Sequence, residues 1–147
     1  MKKILVLNGP NLNLLGQREP DVYGNSTLED IEKYVKSELE QLKFSAKMDW
    51  FQSNSEGALI DKLHDTLKNP VDLIVINPGA YTHTSVALLD ALKILTCRKV
   101  EVHISNTNTR EDFRQQKVTS KSVDGVVEGF GIEGYLLAIL SIFFKIS

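Results

Sequence analysis

Three pairs of residues in this chain have the types and spacing to do chemistry. Glu101 and His103 stand two apart in the run KVEVHI. On a strand, the two-residue period puts both side chains on one face. A carboxylate beside an imidazole fixes its tautomer and raises its pKa, which makes a proton donor near neutrality. The plainer reading is a surface strand pair with a satisfied histidine. Arg18 and Tyr23 share the polar stretch NGPNLNLLGQREPDVYG, residues 8–24. A free phenol titrates near pH ~10, and a guanidinium close by stabilises the phenolate, so this pair has the makings of a base. An ordinary exposed loop with a snorkelling arginine would look the same. Arg110 and Arg114, in RxxxR, suit an anion if a helix sets them on one side. A solvated helix face is the alternative.

Other chemistries lack their signatures. There is no GxxxxGK[ST] and no GxGxxG behind a strand. The glycines of EGFGIEGY precede the last helix, with no ribose-binding acid after them. His64, His83 and His103 have no paired ligand spacing, and the single Cys97 adds none, so no metal site is expected. Ser85 lies near His83, but without a GxSxG elbow it is thin support for a hydrolase. His64 reads as a helix-surface residue and Cys97 as a small, wholly or partly buried one.

The elements that must position these residues alternate along the chain. Strands are expected at residues 4–7, 45–51, 71–76, 99–104 and 125–128. Helices are expected at 56–68 and 84–95, from Ile132 onward, and through TLEDIEKYVKSELEQL. That last stretch sets Leu28, Ile31, Val35, Leu39 and Leu42 on one face, and Thr27 with Asp30 resembles a capping signal. In the second helix, Leu59, Ile60, Leu63 and Leu67 share a side. Alternation with solidly apolar strands implies a parallel sheet covered on both faces. The expected fold is α/β: a flavodoxin-like three-layer sandwich with a five-stranded parallel sheet, one catalytic domain over residues 1–147. In such sheets the site lies beyond the carboxyl ends of the strands, at a switch in strand order. Those ends carry Asn8-Gly9-Pro10-Asn11, then Asn77-Pro78-Gly79 with Tyr81, Thr82 and His83 following, and His103-Ile104-Ser105-Asn106. Polar residues from three separated segments should therefore converge on one cleft. The 8–24 stretch is far longer than the ~2–6 residues a βα turn needs. Gly16 and Gly24 bracket the part that carries Arg18 and Tyr23 and permit hinge motion.

Bulk properties narrow the partners. A net charge of −2 gives no basic excess, so neither nucleic acid nor an anionic membrane is expected as a partner. One cysteine forms no internal disulfide. MKKILVLN has too short an apolar run for a signal peptide, which leaves the cytoplasm as the default. The apolar tail YLLAILSIFFKIS is shorter than the ~20 residues of a bilayer span and contains Lys145. It reads as a buried or subunit-facing helix, with a tail anchor as the alternative.

Five blocks of the sequence, in order and over nearly the whole chain, resemble the type II 3-dehydroquinate dehydratases (type II dehydroquinases) of the shikimate pathway. They are NGPNLNLLGQREPDVYG, FQSNSEGALID, INPGAYTHTSVALLDAL, EVHISNTNTREDFR and GFGIEGY. The resemblance implies an anti elimination of water from 3-dehydroquinate through an enolate, giving 3-dehydroshikimate, with no metal, cofactor or Schiff-base lysine. By the same resemblance Tyr23 is the base, favoured in its ionised form by Arg18. His103 is the general acid, oriented by Glu101. Asn11 and Asn77 match positions holding the enolate-side water and the substrate. The Ile104–Ser105 amides take the substrate carboxylate. His83, Asp90 and Arg114 grip its hydroxyls directly or through neighbours, and Arg110 helps set the base. Asp90 matches a position that can reach the site of an adjacent subunit, and the resemblance implies trimers assembling to a dodecamer. The chain departs from the pattern at Ser55, in a segment where the family usually has a histidine. It departs again at Gln115-Gln116-Lys117, where His-x-Ser is usual. A flavodoxin-like receiver or small-ligand sensor is the non-catalytic alternative. Against it, the first strand ends in Asn and Gly rather than an acidic pair.

Overall fold

The computed structural model describes residues 1–144. Five strands form one parallel sheet: β1 (Lys2–Asn8), β2 (Ala46–Gln52), β3 (Leu73–Asn77), β4 (Arg98–His103) and β5 (Gly125–Glu128). Their spatial order is β2-β1-β3-β4-β5. That is the flavodoxin-like order, and its reversal falls between β1 and β3. The helices are the short α1 (Pro20–Tyr23), α2 (Leu28–Gln41), α3 (Glu56–Lys68), α4 (Val86–Ile94) and α5 (Glu133–Leu140). The expected α/β sandwich is therefore present. The expected strand starts differ from the observed ones by two residues at most.

Period-two alternation builds both covered faces from the same strands. Ile4 and Val6 of β1, with Leu73 and Val75 of β3, pack against Ile31, Val35 and Leu39 of α2 and against Tyr135, Ala138 and Ile139 of α5. Leu5, Leu7, Ile74 and Ile76 point the other way, against Leu59 and Leu63 of α3 and Leu88 and Leu92 of α4. All these strand residues are buried, which is why β1 and β3 read as solid apolar runs. β4 keeps the alternation but changes its chemistry. Val100 and Val102 join the first layer, whereas the alternate positions are Lys99, Glu101 and His103, all buried. Lys99 shows why that is tolerated: its Nζ donates to the Leu92 and Leu95 carbonyls at 3.1 and 2.6 Å. It thus satisfies the end of α4, where a cation also suits the helix dipole.

Each long helix starts on a local cap. Thr27 and Asp30 bond reciprocally, Asp30 N–H to Thr27 Oγ1 at 3.1 Å and Thr27 N–H to Asp30 Oδ2 at 3.0 Å. Ser55 accepts the Ala58 N–H and Ser85 the Leu88 N–H, at 3.2 and 2.9 Å. Such caps stabilise a helix by about 1 kcal/mol each. Two expected apolar faces are narrower than their spacing suggested. Leu42 lies past the end of α2 and Leu67 on the outer side of α3, and both are exposed. Leu137 and Phe144 are exposed while Tyr135 and Ile139 are buried, so the C-terminal apolar run divides between core and surface. Its last residues, 145–147, lie outside the described part. Among the described residues no helix is long and apolar enough to cross a membrane.

Candidate active site

The carboxyl ends of β1 and β3 are drawn together by backbone as well as side chains. Asn8 and Asn77 are register partners, and Gly9 N–H donates to Asn77 O at 2.8 Å. A Cβ on Gly9 would lie 2.3 Å from Pro78 O, so only glycine allows this approach. Beneath the two asparagines, Tyr135 of α5 is wholly buried. Its hydroxyl donates to Asn8 Oδ1 at 2.6 Å and accepts from Asn77 Nδ2 at 2.9 Å. Burial pushes this phenol's pKa far up, so it acts as a neutral hydrogen-bonding post. Asn77 Oδ1 is used as well, taking the Gly79 N–H at 3.1 Å. That amide's orientation is thereby set.

The cleft that opens at this edge is lined by Pro10, Asn11, Leu12, Leu15, Arg18, Tyr23, Asn77, Gly79, Ala80, His83, His103, Ile104, Ser105, Thr107, Arg110 and Arg114. It spans about 710 Å³ of empty space, part of it open to solvent. Most of the residues singled out in the sequence line it. Glu101 does not, because it is buried behind His103. Asp90 does not either: it is exposed on α4 and contributes nothing to the cleft of its own chain.

Glu101 and His103 face the same side of β4, as the two-residue spacing requires. His103 Nε2 lies 3.1 Å from Glu101 Oε2. The same carboxylate also accepts the hydroxyls of Thr119 and Ser120. Thr82 Oγ1 stands 2.8 Å from Thr119 Oγ1, completing the shell. Burial pushes the Glu101 pKa up, but the contacts with His103, Ser120 and Thr119 outweigh it and hold the carboxyl below its usual range. An ionised carboxylate only accepts hydrogen bonds. His103 therefore carries its proton on Nε2, which leaves Nδ1 as the nitrogen able to exchange one. The surface-pair reading of this motif fails, since Glu101 is fully buried and His103 is 5% exposed. The hydroxyl cluster was missed in the sequence; its one trace is the run VTSKS, residues 118–122.

In the loop behind β1, Tyr23 ends α1, a single turn with no buried residue. Gly16 enters the preceding loop at φ +86°, where a Cβ would stand 2.8 Å from Asn25 O; Gly24 leaves it at φ +79°. Arg18 lies 4.9 Å from the Tyr23 ring centroid and pairs with Glu19 at 3.6 Å. It is Arg110 that reaches the phenol oxygen, with Nη1 2.9 Å from Tyr23 Oη and 3.4 Å from Ser105 Oγ. Arg110 and Arg114 share no helix. Arg110 is extended, and Arg114 closes a 3₁₀ turn at Asp112–Arg114. Both still line the cleft, while Arg114 Nε donates to Glu111 at 2.6 Å.

His83 ends the 3₁₀ turn Gly79–His83 and lines the cleft, with Nδ1 2.7 Å from Gln116 O. A carbonyl only accepts, so Nδ1 carries the proton and Nε2 is the acceptor. Ser85, next to it in sequence, is buried as the cap of α4, so the hydrolase alternative loses its nucleophile. Asn11 adopts a left-handed φ of +66°, and its N–H donates to Asn54 Oδ1 at 2.9 Å. Two departures from the family pattern have local structural reasons. Ser55 caps α3. Gln115 Nε2 donates to Thr107 O at 3.0 Å, bracing the loop after β4. His64 is exposed on α3 and stands apart from the cleft.

Comparison with known proteins agrees with this geometry. The family model described as dehydroquinase class II matches residues 2–143. The 3-dehydroquinate dehydratase of Caldicellulosiruptor bescii is 47% identical over 142 residues, 97% of either chain. That of Clostridium botulinum (strain Hall) is 51% identical over 139 residues, 95% of this chain and 92% of its own. The crystal structure of the type II dehydroquinase from Butyrivibrio crossotus superposes with a TM-score of 0.92 at 45% identity, covering 97% of this chain and 98% of that one.

Proposed function

Because the chain belongs to the class II dehydroquinase family, we propose that it dehydrates 3-dehydroquinate by an anti elimination between Tyr23 and His103. The activity itself goes with the family: the protein is a hydro-lyase, a type II 3-dehydroquinate dehydratase acting on a small-molecule substrate. The assignment of steps to residues is our reading.

Tyr23 takes the hydrogen alpha to the ketone, and the C–H electron pair passes into an enolate. The enolate then collapses. Its electrons form the new carbon–carbon double bond and restore the ketone as the hydroxyl departs. His103 protonates that hydroxyl, so water leaves rather than hydroxide. The proton given up is that on Nδ1 of the imidazolium, whose Nε2–H Glu101 holds. Arg110, bonded to the phenol oxygen, and Arg18, beside the ring, stabilise negative charge on Tyr23. The amides of Ile104 and Ser105 receive the substrate carboxylate. Asn11 and Asn77 hold the enolate-side water and the ring, and His83 and Arg114 take ring hydroxyls. Closure of the 8–24 loop excludes water and strengthens every electrostatic contact inside.

One observation carries this reading: a phenol bonded to a guanidinium and an imidazole bonded to a buried carboxylate line the same cleft. Its test is the ultraviolet absorbance of the conjugated enone formed from 3-dehydroquinate. Turnover should survive chelator and should survive borohydride added with substrate. Inactivation by borohydride would indicate an imine on a lysine and overturn the mechanism.

Asp90 requires a neighbouring subunit to meet any substrate. Trimers within a dodecamer, running in the cytoplasm, complete the proposal, with sedimentation of the purified protein as the check on assembly.

A further inference from the structure

Glu128 and Lys117 have no role in the steps above, yet their side chains are only 13% and 15% exposed. A buried ion pair gains little stability for the desolvation it costs, and removing one partner alone is severe. Glu128 closes β5, beside His103 in sheet register. One carboxylate oxygen takes the Lys117 ammonium at 2.6 Å. The other takes the Thr107 N–H at 2.5 Å and the Thr107 hydroxyl as well. Burial pushes the Glu128 pKa up, and the contacts with Lys117 and Thr107 outweigh it, so the carboxylate stays charged.

Thr107 is the far end of this arrangement. It is 4% exposed, lines the cleft and opens the turn Thr107–Thr109. Its carbonyl accepts the Arg110 N–H at 3.1 Å and the Gln115 side-chain amide at 3.0 Å. All its polar groups are thus engaged, two of them by Glu128. Around it, Asn106, Asn108 and Thr109 are exposed, so no apolar side chain within the turn anchors it. Ser105 stands two residues before Thr107 and Arg110 three after. The turn therefore sets both the amides at Ile104–Ser105 and the guanidinium on Tyr23.

We propose that the Lys117–Glu128 pair positions the carboxylate subsite, acting through Thr107 to hold the turn that carries Ser105 and Arg110. The inference rests on the reading above in which the Ile104–Ser105 amides take the substrate carboxylate. Glu128 and Lys117 are positioning residues: both act through Thr107. The carboxylate is held alike in ground and transition states, so loosening its site raises KM more than it lowers kcat.

The test is steady-state kinetics on 3-dehydroquinate with the double variant Lys117→Met/Glu128→Leu, which removes the acceptors of Thr107 without stranding a charge. The swap leaves the Thr107 N–H and hydroxyl without their acceptor, which lowers stability, and a thermal melt checks that the variant is folded at the assay temperature. The expected result is a KM raised about tenfold, as for one lost buried polar contact, with a smaller fall in kcat. Thr107→Val should raise KM by about threefold in the parent, the worth of one hydroxyl hydrogen bond. In the double variant it should add nothing, because the hydroxyl has already lost its acceptor. A double variant with parental KM, or losses that simply add, would overturn the inference. If the double variant does not fold, Thr107→Val alone decides, and a parental KM there overturns it. An inactive parent enzyme would instead refute the reading of the cleft.

Discussion

The two walls of the cleft are built on opposite principles. On the β4 wall, Glu101 and His103 grow out of the sheet, and three hydroxyl-bearing residues close around the carboxylate. The carboxylate cannot turn without breaking several bonds. On the lid wall, Tyr23 sits on one helical turn without a buried residue, between two glycines of positive φ. It is held by side-chain contacts to Arg110 and Arg18. A proton donor gains from preorganisation, because its partner charge is in place before the reaction starts. A base on a lid can withdraw to admit substrate and return to exclude water. On the proposed mechanism, one small sheet would serve both needs, with a braced donor on the strand and a hinged base on the loop behind it.

Breaking either wall outright should have the largest effect. Tyr23→Phe and His103→Ala should each lower kcat by about 10²–10⁴-fold, as for a lost general acid or base. Parental turnover in Tyr23→Phe would leave the lid with some other task. Glu101→Gln comes next. It should cost roughly tenfold or more in kcat with little change in KM, since it disturbs the tautomer rather than substrate contact.

The lid wall is sharpened by contrasting its two arginines. Arg110→Ala loses a direct bond to the phenol oxygen, so kcat should fall several-fold further than in Arg18→Ala, whose guanidinium lies over the ring. Equal losses in the two variants would mean that charge alone matters, not the hydrogen bond.

The smallest effect concerns acid stability of the rigid wall. Glu101 is held below its ordinary value of 4.5. A depressed carboxyl stabilises the fold at pH values above that ordinary value, and the contribution is lost as pH falls through the folded-state pKa. Urea midpoints of the parent should therefore drop below pH 4.5 more steeply than those of Glu101→Gln. Parallel curves would show that the buried carboxylate contributes no pH-dependent stability.

Much of the scaffold was legible because its signals are local. The capping pair Thr27/Asp30, the solid runs of β1 and β3 and the spacing of Glu101 and His103 each rest on neighbours within a few residues. The RxxxR motif rested on local spacing as well, and both arginines line the cleft. The reading was conditional on a shared helix face, whereas Arg110 is extended and Arg114 ends a separate 3₁₀ turn. Leu42 and Leu67 fit the helical period yet are exposed, because α2 ends at Gln41 and the apolar side of α3 that meets the sheet is narrow. The Glu101 hydroxyl shell, the Tyr135 post under Asn8 and Asn77, and the Glu128–Thr107 contact left almost no trace. Their partners are separated by 18 to 127 residues.

By itself the sequence determined the alternation of strands and helices, the convergence of three polar strand ends and the family resemblance. Those follow from backbone periodicity and from motifs that each lie within a short stretch of chain. The tertiary structure alone decided that Arg110 rather than Arg18 bonds the Tyr23 oxygen, that Asp90 stays outside its own cleft, and which nitrogen of His103 is free. Each of these depends on where side chains from distant elements meet, and a linear pattern carries no information about that distance.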